Sequence, residues 1–262
     1  MIESPIKGVF YSPSDCSTLL GEGGEAKVWK AEKQGSAGDK SEKRINDAKE
    51  QLALKITDTL RRTFYRPPID LPPHPSLVTP LESAEANGVR YETFPLFERD
   101  CFDLAQQRPM MEREAKPIIR SLLDALIALE DAGLAHRDVK LENILVAKDG
   151  SVALCDFGFC VPIDFEPDAS MGSPLYMAPE ICQEQYYRFF NGTKVDVFGV
   201  GVCLCFLLLH RGVSIAKDGS IHYPSFATVS HYGQSFIQMA TAPDPVRRAS
   251  LQNLRSHYWL KL

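Results

Sequence analysis

The chain has 262 residues, 44% hydrophobic and 24% charged, enough apolar material for one two-lobed domain or two small ones. A net charge of −5 and a pI near 5.7 exclude a surface built to read phosphate backbones, so nucleic acid is not the expected main partner, and the balance leans toward basic substrates. Seven cysteines without repeated spacing exclude a disulfide framework, and neither Cys155/Cys160 nor Cys203/Cys205 has a matching second half for zinc, so reduced thiols in a cytoplasmic compartment are expected.

Residues 1–18 form a lead-in with turn residues at Ser12-Pro13-Ser14-Asp15, and the stretch from Met1 carries no apolar core of signal-peptide length. Leu19 to Ala31 reads as strand, glycine turn, strand, with Leu20-Gly21-Glu22-Gly23-Gly24 ahead of Val28. Glycines let a backbone bring its N–H groups close to phosphates, although the same pattern also makes a plain hairpin. From Lys33 to Gln51 the composition turns to small and charged residues, an exposed connection. Leu52-Ala53-Leu54-Lys55-Ile56 alternates as a strand. Thr57 to Arg66 then leaves room for barely ten helical residues before Pro67-Pro68, and no glutamate occurs between Lys55 and His74. Strands are expected around Leu77–Ser83 and Val89–Phe97, turning at Asn87-Gly88. Apolar positions 118, 119, 122, 123, 126, 127 and 129 predict a helix over 117–132 that Gly133 closes.

His136-Arg137-Asp138-Val139-Lys140-Leu141-Glu142-Asn143 comes next, with Asp156-Phe157-Gly158 beginning thirteen residues after Asn143. Ile144-Leu145-Val146 and Val152-Ala153-Leu154 read as strands around Lys148-Asp149-Gly150, a hairpin that lets Asn143 and Asp156 share one cation. An amide oxygen and a carboxylate suit Mg²⁺, which keeps several waters and takes phosphate oxygens as further ligands. Asp138 is placed to hold a hydroxyl nucleophile and Lys140 to neutralise the transferred group, the pattern of a phosphoryl transferase. Further on, Val197 to Leu209 follows Asp196 and is too short to cross a bilayer, so a buried helix and a soluble protein are expected. Leu251 to Leu262 reads as one closing amphipathic helix.

From near Leu20 to about Trp259 these motifs resemble the eukaryotic-type protein kinase family. Lys140 and Gly172-Ser173-Pro174-Leu175-Tyr176-Met177-Ala178-Pro179-Glu180 are similar to its serine/threonine branch. The resemblance implies an α+β, two-lobed fold in a single kinase domain spanning 1–262, with a small β-rich N-lobe to about residue 97 and a larger, mainly helical C-lobe from 98. It implies Mg²⁺-assisted transfer of phosphate from ATP to serine or threonine hydroxyls of proteins. By the same resemblance, ATP contacts fall on Leu20, Gly21, Glu22, Gly23, Gly24, Val28, Ala53, Lys55, the gatekeeper Phe94, the hinge residues Pro95 and Phe97, and Leu145. Asp138 and Lys140 would be catalytic, and Asn143 and Asp156 would hold the metal. Asp196 would hold the catalytic loop from below, and Glu180 would pair with Arg248. Glu142 stands where relatives meet a substrate arginine. Arg137 and Ser170 are the regulatory candidates.

The chain departs from the family pattern in several places. The third loop glycine is Ala26, and Glu25 occupies the loop tip. An active kinase pairs its strand lysine with a helix glutamate, which this sequence lacks; Asp156 is then the nearest counter-charge for Lys55, or a partner protein completes the N-lobe. A catalytically weak pseudokinase serving as a nucleotide-binding scaffold would show these same departures, and a small-molecule kinase on a related fold is the third reading. Between Asp156 and Glu180 there is no Lys or Arg, whereas Asp164, Glu166 and Asp168 are present. One of these carboxylates is therefore expected to reach Arg137, making phosphorylation of Ser170 unnecessary.

Overall fold

The structure, a computed structural model, describes residues 1–22, 26–34, 50–59, 70–163, 173–182 and 191–262. The chain divides into two compact units; among the described residues the first holds those up to 59 together with Val78–Leu96, and the second holds 70–77 and 97–262. Gly23, Gly24, Glu25, the expected helix beyond residue 59, and Asp164, Glu166, Asp168 and Ser170 lie outside the described residues.

The first unit is an antiparallel sheet. Its strands are β1 (Ile2–Glu3), β2 (Val9–Tyr11), β3 (Leu19–Glu22), β4 (Ala26–Lys33), β5 (Glu50–Asp58), β6 (Glu82–Ala86) and β7 (Val89–Pro95). They run in the order β1-β2-β4-β5-β7-β6, with β3 paired to β4. Side chains alternate faces along a strand. Trp29 and Ala31 of β4 and Leu54 of β5 pack with Ile6, Val9 and Tyr11 on one face. The same alternation sends Val28, Ala53, Lys55, Glu92 and Phe94 to the other face. Asn87 (φ 53°) and Gly88 (φ 73°) make the β6–β7 turn, the left-handed pair that a two-residue hairpin requires.

Two sequence expectations are corrected here. Thr57 and Asp58 extend β5 rather than starting a helix. The strand expected at Leu77–Ser83 begins only at Glu82, because Pro80 has no N–H to give a ladder and Leu77 forms a parallel bridge to Leu154. Leu154 N also donates to Ser76 O at 2.8 Å, which fastens 70–77 to the second unit, whereas the sequence reading counted those residues with the N-lobe.

In the second unit β8 (Arg99–Asp100) and α1 (Cys101–Gln107) precede α2 (Glu112–Asp131), whose residues Ile118, Ile119, Leu122, Leu123, Leu126 and Leu129 are buried. The α2 helix starts five residues before the expected 117, since the Glu114 carboxylate accepts Met111 N at 2.8 Å and caps the first turn despite Pro117 inside. Then come β9 (Leu134–Ala135), β10 (Ile144–Val146), β11 (Val152–Leu154) and β12 (Val161–Pro162). The helices α3 (Pro179–Cys182) and α4 (Gly192–Leu209) follow, and β13 (Ser214–Ile215) and β14 (Ile221–His222) form a small hairpin. The chain ends with α5 (His231–Ala240), α6 (Leu251–Arg255) and α7 (Tyr258–Lys261).

Helix α4 starts at Gly192, not Val197, because the Asn191 side chain accepts Lys194 N. At 18 residues it is long and apolar enough to cross a membrane by length and composition, but 83% of it is buried inside the protein, the setting of a core helix. The expected single closing helix is two, separated at Ser256-His257, where the His257 ring accepts Trp259 N and starts α7 afresh. The seven cysteines form no disulfide.

Candidate active site

The β10–β11 hairpin pairs Ile144 with Leu154 and Val146 with Val152. Its open end is closed by Cys155 N donating to Asn143 O at 2.9 Å, so Asp156 leaves the hairpin one residue past the point where Asn143 enters it. Asp156 (φ 60°) and, in the preceding loop, Arg137 (φ 68°) occupy the left-handed region, a strain that non-glycine residues carry at functional turns.

That loop is anchored from beneath by Asp196 of α4. Its Oδ2 accepts His136 N at 2.7 Å and its Oδ1 accepts Arg137 N at 2.6 Å. The close approach depends on Gly199, where an added Cβ would stand 2.8 Å from Val139 Cβ and 2.9 Å from its carbonyl oxygen. Burial pushes the Asp196 carboxyl up to about 7, against the pull of its two N–H donors. His136, fully buried, bonds Cys155 O through Nε2 at 3.0 Å, accepts Asp138 N through Nδ1 at 3.3 Å, and meets the Phe157 ring edge-on. Burial holds its pKa below the ordinary imidazole value. It thereby ties the octet to Asp156-Phe157-Gly158, a role the sequence reading did not assign.

Asp138 is 4% exposed, yet both of its carboxylate oxygens are engaged. Lys140 Nζ donates to Oδ2 at 2.6 Å, Asn143 Nδ2 donates to Oδ2 at 3.1 Å, and Ser173 Oγ donates to Oδ1 at 3.0 Å. Lys140 Nζ also donates to Ser173 Oγ at 3.0 Å. Ser173 thus joins Asp138 and Lys140 in a closed triangle. Sequence reasoning quoted it only as part of the Gly172–Glu180 segment and missed this contact across 35 residues. Asn143 also gives Nδ2 to Asp138 O at 2.8 Å, which spends its amide donors and leaves its amide oxygen as a hard donor suited to a cation. Among the described residues no group of three His, Cys, Asp or Glu could hold a metal, so a cation here would rely on Asn143, Asp156, water and substrate oxygens.

The structural pair is fully buried. Arg248 Nη1 and Nη2 donate to Glu180 Oε1 and Oε2 at 2.6 and 2.8 Å, a bidentate fork. In the first unit, Val28, Lys55 and Glu92 stand abreast on three strands, and Ala53 is abreast of Phe94. Leu20 is half exposed, Gly21 pairs with Val28, and Glu22 forms an ion pair with Lys27 at 2.7 Å. Pro95 ends β7, opposite Leu52. In the second unit Leu145 pairs with Asp100, and Phe97 is half buried.

Residues 15–260 match the protein kinase domain family. The chain belongs to that family. Among relatives, this kinase domain is 28% identical to CBL-interacting protein kinase 17 of Oryza sativa subsp. japonica, over 92% of the chain and 55% of the relative. It is 32% identical to the probable serine/threonine-protein kinase MARK-B of Dictyostelium discoideum, over 62% of the chain and 24% of the relative. Against the serine/threonine-protein kinase pakA of Talaromyces marneffei it is 29% identical over 58% of the chain and 25% of the relative. The kinase domain therefore spans about half the length of the first relative and about a quarter of the other two.

Proposed function

We propose that this kinase domain transfers the γ-phosphoryl group of ATP to serine or threonine hydroxyls of protein substrates. The observation that carries the reading is the triangle of Asp138, Lys140 and Ser173 beside Asn143 at the mouth of the β10–β11 hairpin. A loose phosphoryl transition state asks for positioning and charge neutralisation rather than covalent chemistry. Asp138, gripped at both oxygens, aims the substrate hydroxyl and takes its proton. Lys140 sets positive charge beside the transferred group. Asn143 and Asp156 would hold Mg²⁺, which when bound screens the β- and γ-phosphoryl oxygens. On the first unit, Lys55 serves the α- and β-phosphates and the sheet face with Val28, Ala53 and Phe94 serves the base. Asp196 and the Glu180–Arg248 pair keep the loop and the segment bearing Ser173 in place.

The exposed Glu142 and the net charge of −5 support targets with basic residues near the hydroxyl. Seven cysteines without a disulfide support a reducing, cytoplasmic setting. Incubation with γ-labelled ATP, Mg²⁺ and a basic protein, followed by phosphoamino-acid analysis, tests the reading. Label on serine or threonine is expected, with Asp138→Asn reducing turnover by about 10³-fold or more, on the order of 4 kcal/mol of barrier. Equal labelling by the wild type and Asp138→Asn would support the scaffold reading instead.

A further inference from the structure

Residues 1–14 precede the stretch that matches the kinase family, yet they are built into the sheet of the first unit. β1 and β2 pair with each other, Ile2 opposite Tyr11 and Glu3 opposite Phe10. β2 then pairs with one end of β4, Val9 opposite Lys33 and Tyr11 opposite Ala31. β3 pairs with the other end, Leu19 opposite Trp29 and Glu22 opposite Lys27. One edge of β4 is therefore shared end to end by two strands. The turn that joins them is held internally: the Asp15 carboxylate accepts Ser17 N at 3.0 Å, and Thr18 Oγ1 donates to Ser12 O at 3.1 Å and to Asp15 O at 2.8 Å.

The two strand partners of β4 meet at Trp29. Its ring lies 6.4 Å from that of Tyr11, tilted by 51°. Both side chains are buried, in a cluster with Ile6, Val9, Ala31 and Leu54. Beside Trp29 the β3–β4 register slips: Leu19 is opposite Trp29 but Gly21 is opposite Val28, so Leu20 is the extra residue of a bulge. Bulges bend and twist a strand and re-aim the side chains next to them. The side chains concerned are Leu20 and Val28, which the family resemblance puts among the nucleotide contacts.

We infer that Tyr11 is a positioning residue for nucleotide binding: by packing on Trp29 it fixes the point from which the Leu20 bulge and Val28 are set. The inference rests on the phosphoryl-transfer reading above and deepens it. Tyr11 acts through Trp29, whose side chain is on the face opposite Val28 by strand alternation. The chain thus braces its nucleotide strands with residues 1–11.

Tyr11→Ala removes the ring, and Tyr11→Phe keeps it. Acrylamide quenching reads the packing without turnover, because the chain has two tryptophans, Trp29 and Trp259, and both are buried. Quenching is expected to rise in Tyr11→Ala and to stay at the wild-type level in Tyr11→Phe. KM for ATP is expected to rise roughly tenfold in Tyr11→Ala with kcat within about twofold, the signature of lost uniform binding, and to return in Tyr11→Phe.

Val9→Ala separates positioning from stability alone. Val9 is fully buried in the same cluster, so its truncation loosens the packing but leaves both rings; it should lower the urea midpoint with KM unchanged. Where Tyr11→Ala does not fold, Tyr11→Leu keeps the cluster apolar, removes the ring and carries the same kinetic expectation. Unchanged KM in a folded variant without the ring, unchanged quenching in Tyr11→Ala, or an equal rise of KM in Val9→Ala overturns the inference and leaves the kinase reading standing. A wild-type chain that binds ATP but transfers no phosphate would sink the transferase reading alone, and calorimetry should still show roughly tenfold weaker ATP binding in Tyr11→Ala. A wild-type chain that binds no ATP contradicts both.

Discussion

Replacing Arg248 by Met isolates the energetics of the buried fork. The guanidinium is fully buried and donates to Glu180 at 2.6 and 2.8 Å, to Lys194 O at 2.7 Å and to Ala242 O at 2.9 Å. It also lies 5.0 Å from the Phe198 ring centroid. Met fills much of the stem volume but leaves the Glu180 carboxylate without its counter-ion and removes the donor to both carbonyls. Breaking one side of a buried pair costs about 3–5 kcal/mol. Each stranded carbonyl adds on the order of 1 kcal/mol, giving roughly 5–7 kcal/mol in all. That would consume most of the stability of an ordinary domain, about 5–15 kcal/mol. Glu180→Gln leaves the carbonyl contacts of Arg248 intact and should cost about 3 kcal/mol. The double variant leaves neither charge buried, so it should be more stable than Arg248→Met alone. Urea midpoints of the four proteins test this. Single variants within about 1 kcal/mol of wild type, or strictly additive losses, would refute the reasoning.

Ser173→Ala removes the hydroxyl that bridges Asp138 and Lys140; kcat should fall roughly 10- to 100-fold with the ATP KM little changed, and Ser173→Thr should restore it. Steady-state kinetics that show no loss in Ser173→Ala would remove Ser173 from the site. Burial raises the Asp196 carboxyl from 3.8 to about 7, so its contribution to stability is complete below 3.8 and is lost as pH rises through the folded value. His136 acts with the opposite sign, contributing above 6.5 and losing that contribution as pH falls through its lowered folded value. Asp196→Asn should therefore flatten the fall in urea midpoint between about pH 4 and 7; an unchanged profile would mean that the two N–H bonds keep the carboxylate ionised. Asp58→Asn and Asp70→Asn should each leave ATP affinity intact by calorimetry, and a severe loss at either would identify that acid as the one serving Lys55.

The parts of the site that sequence made legible are local. Asn143 and Asp156 are joined by a hairpin whose strands and turn can be read directly from the residues, and Asp138 and Lys140 sit in the same octet. Asp196 and the Glu180–Arg248 pair were legible only through family resemblance, since their partners are 59 to 68 residues away. The contact of Ser173 with Asp138 carries no periodic signal, because tertiary packing decides it. Element boundaries slipped where one residue outweighed the pattern: Glu114 capping α2 ahead of Pro117, Asn191 starting α4, His257 restarting the final helix, and Pro80 delaying β6. At Thr57 and Asp58 strand pairing with β7 carried β5 past the expected helix start.

The central claim is that Asn143 and Asp156 hold the cation that delivers a triphosphate to Asp138. Single-turnover transfer of γ-label to a serine peptide, followed across a Mg²⁺ titration in the wild type and in Asp156→Asn, tests it most directly. The account predicts transfer that rises with Mg²⁺ in the wild type and falls by about 10³-fold or more in the variant. Transfer indifferent to Mg²⁺, or equal in both proteins, would contradict it.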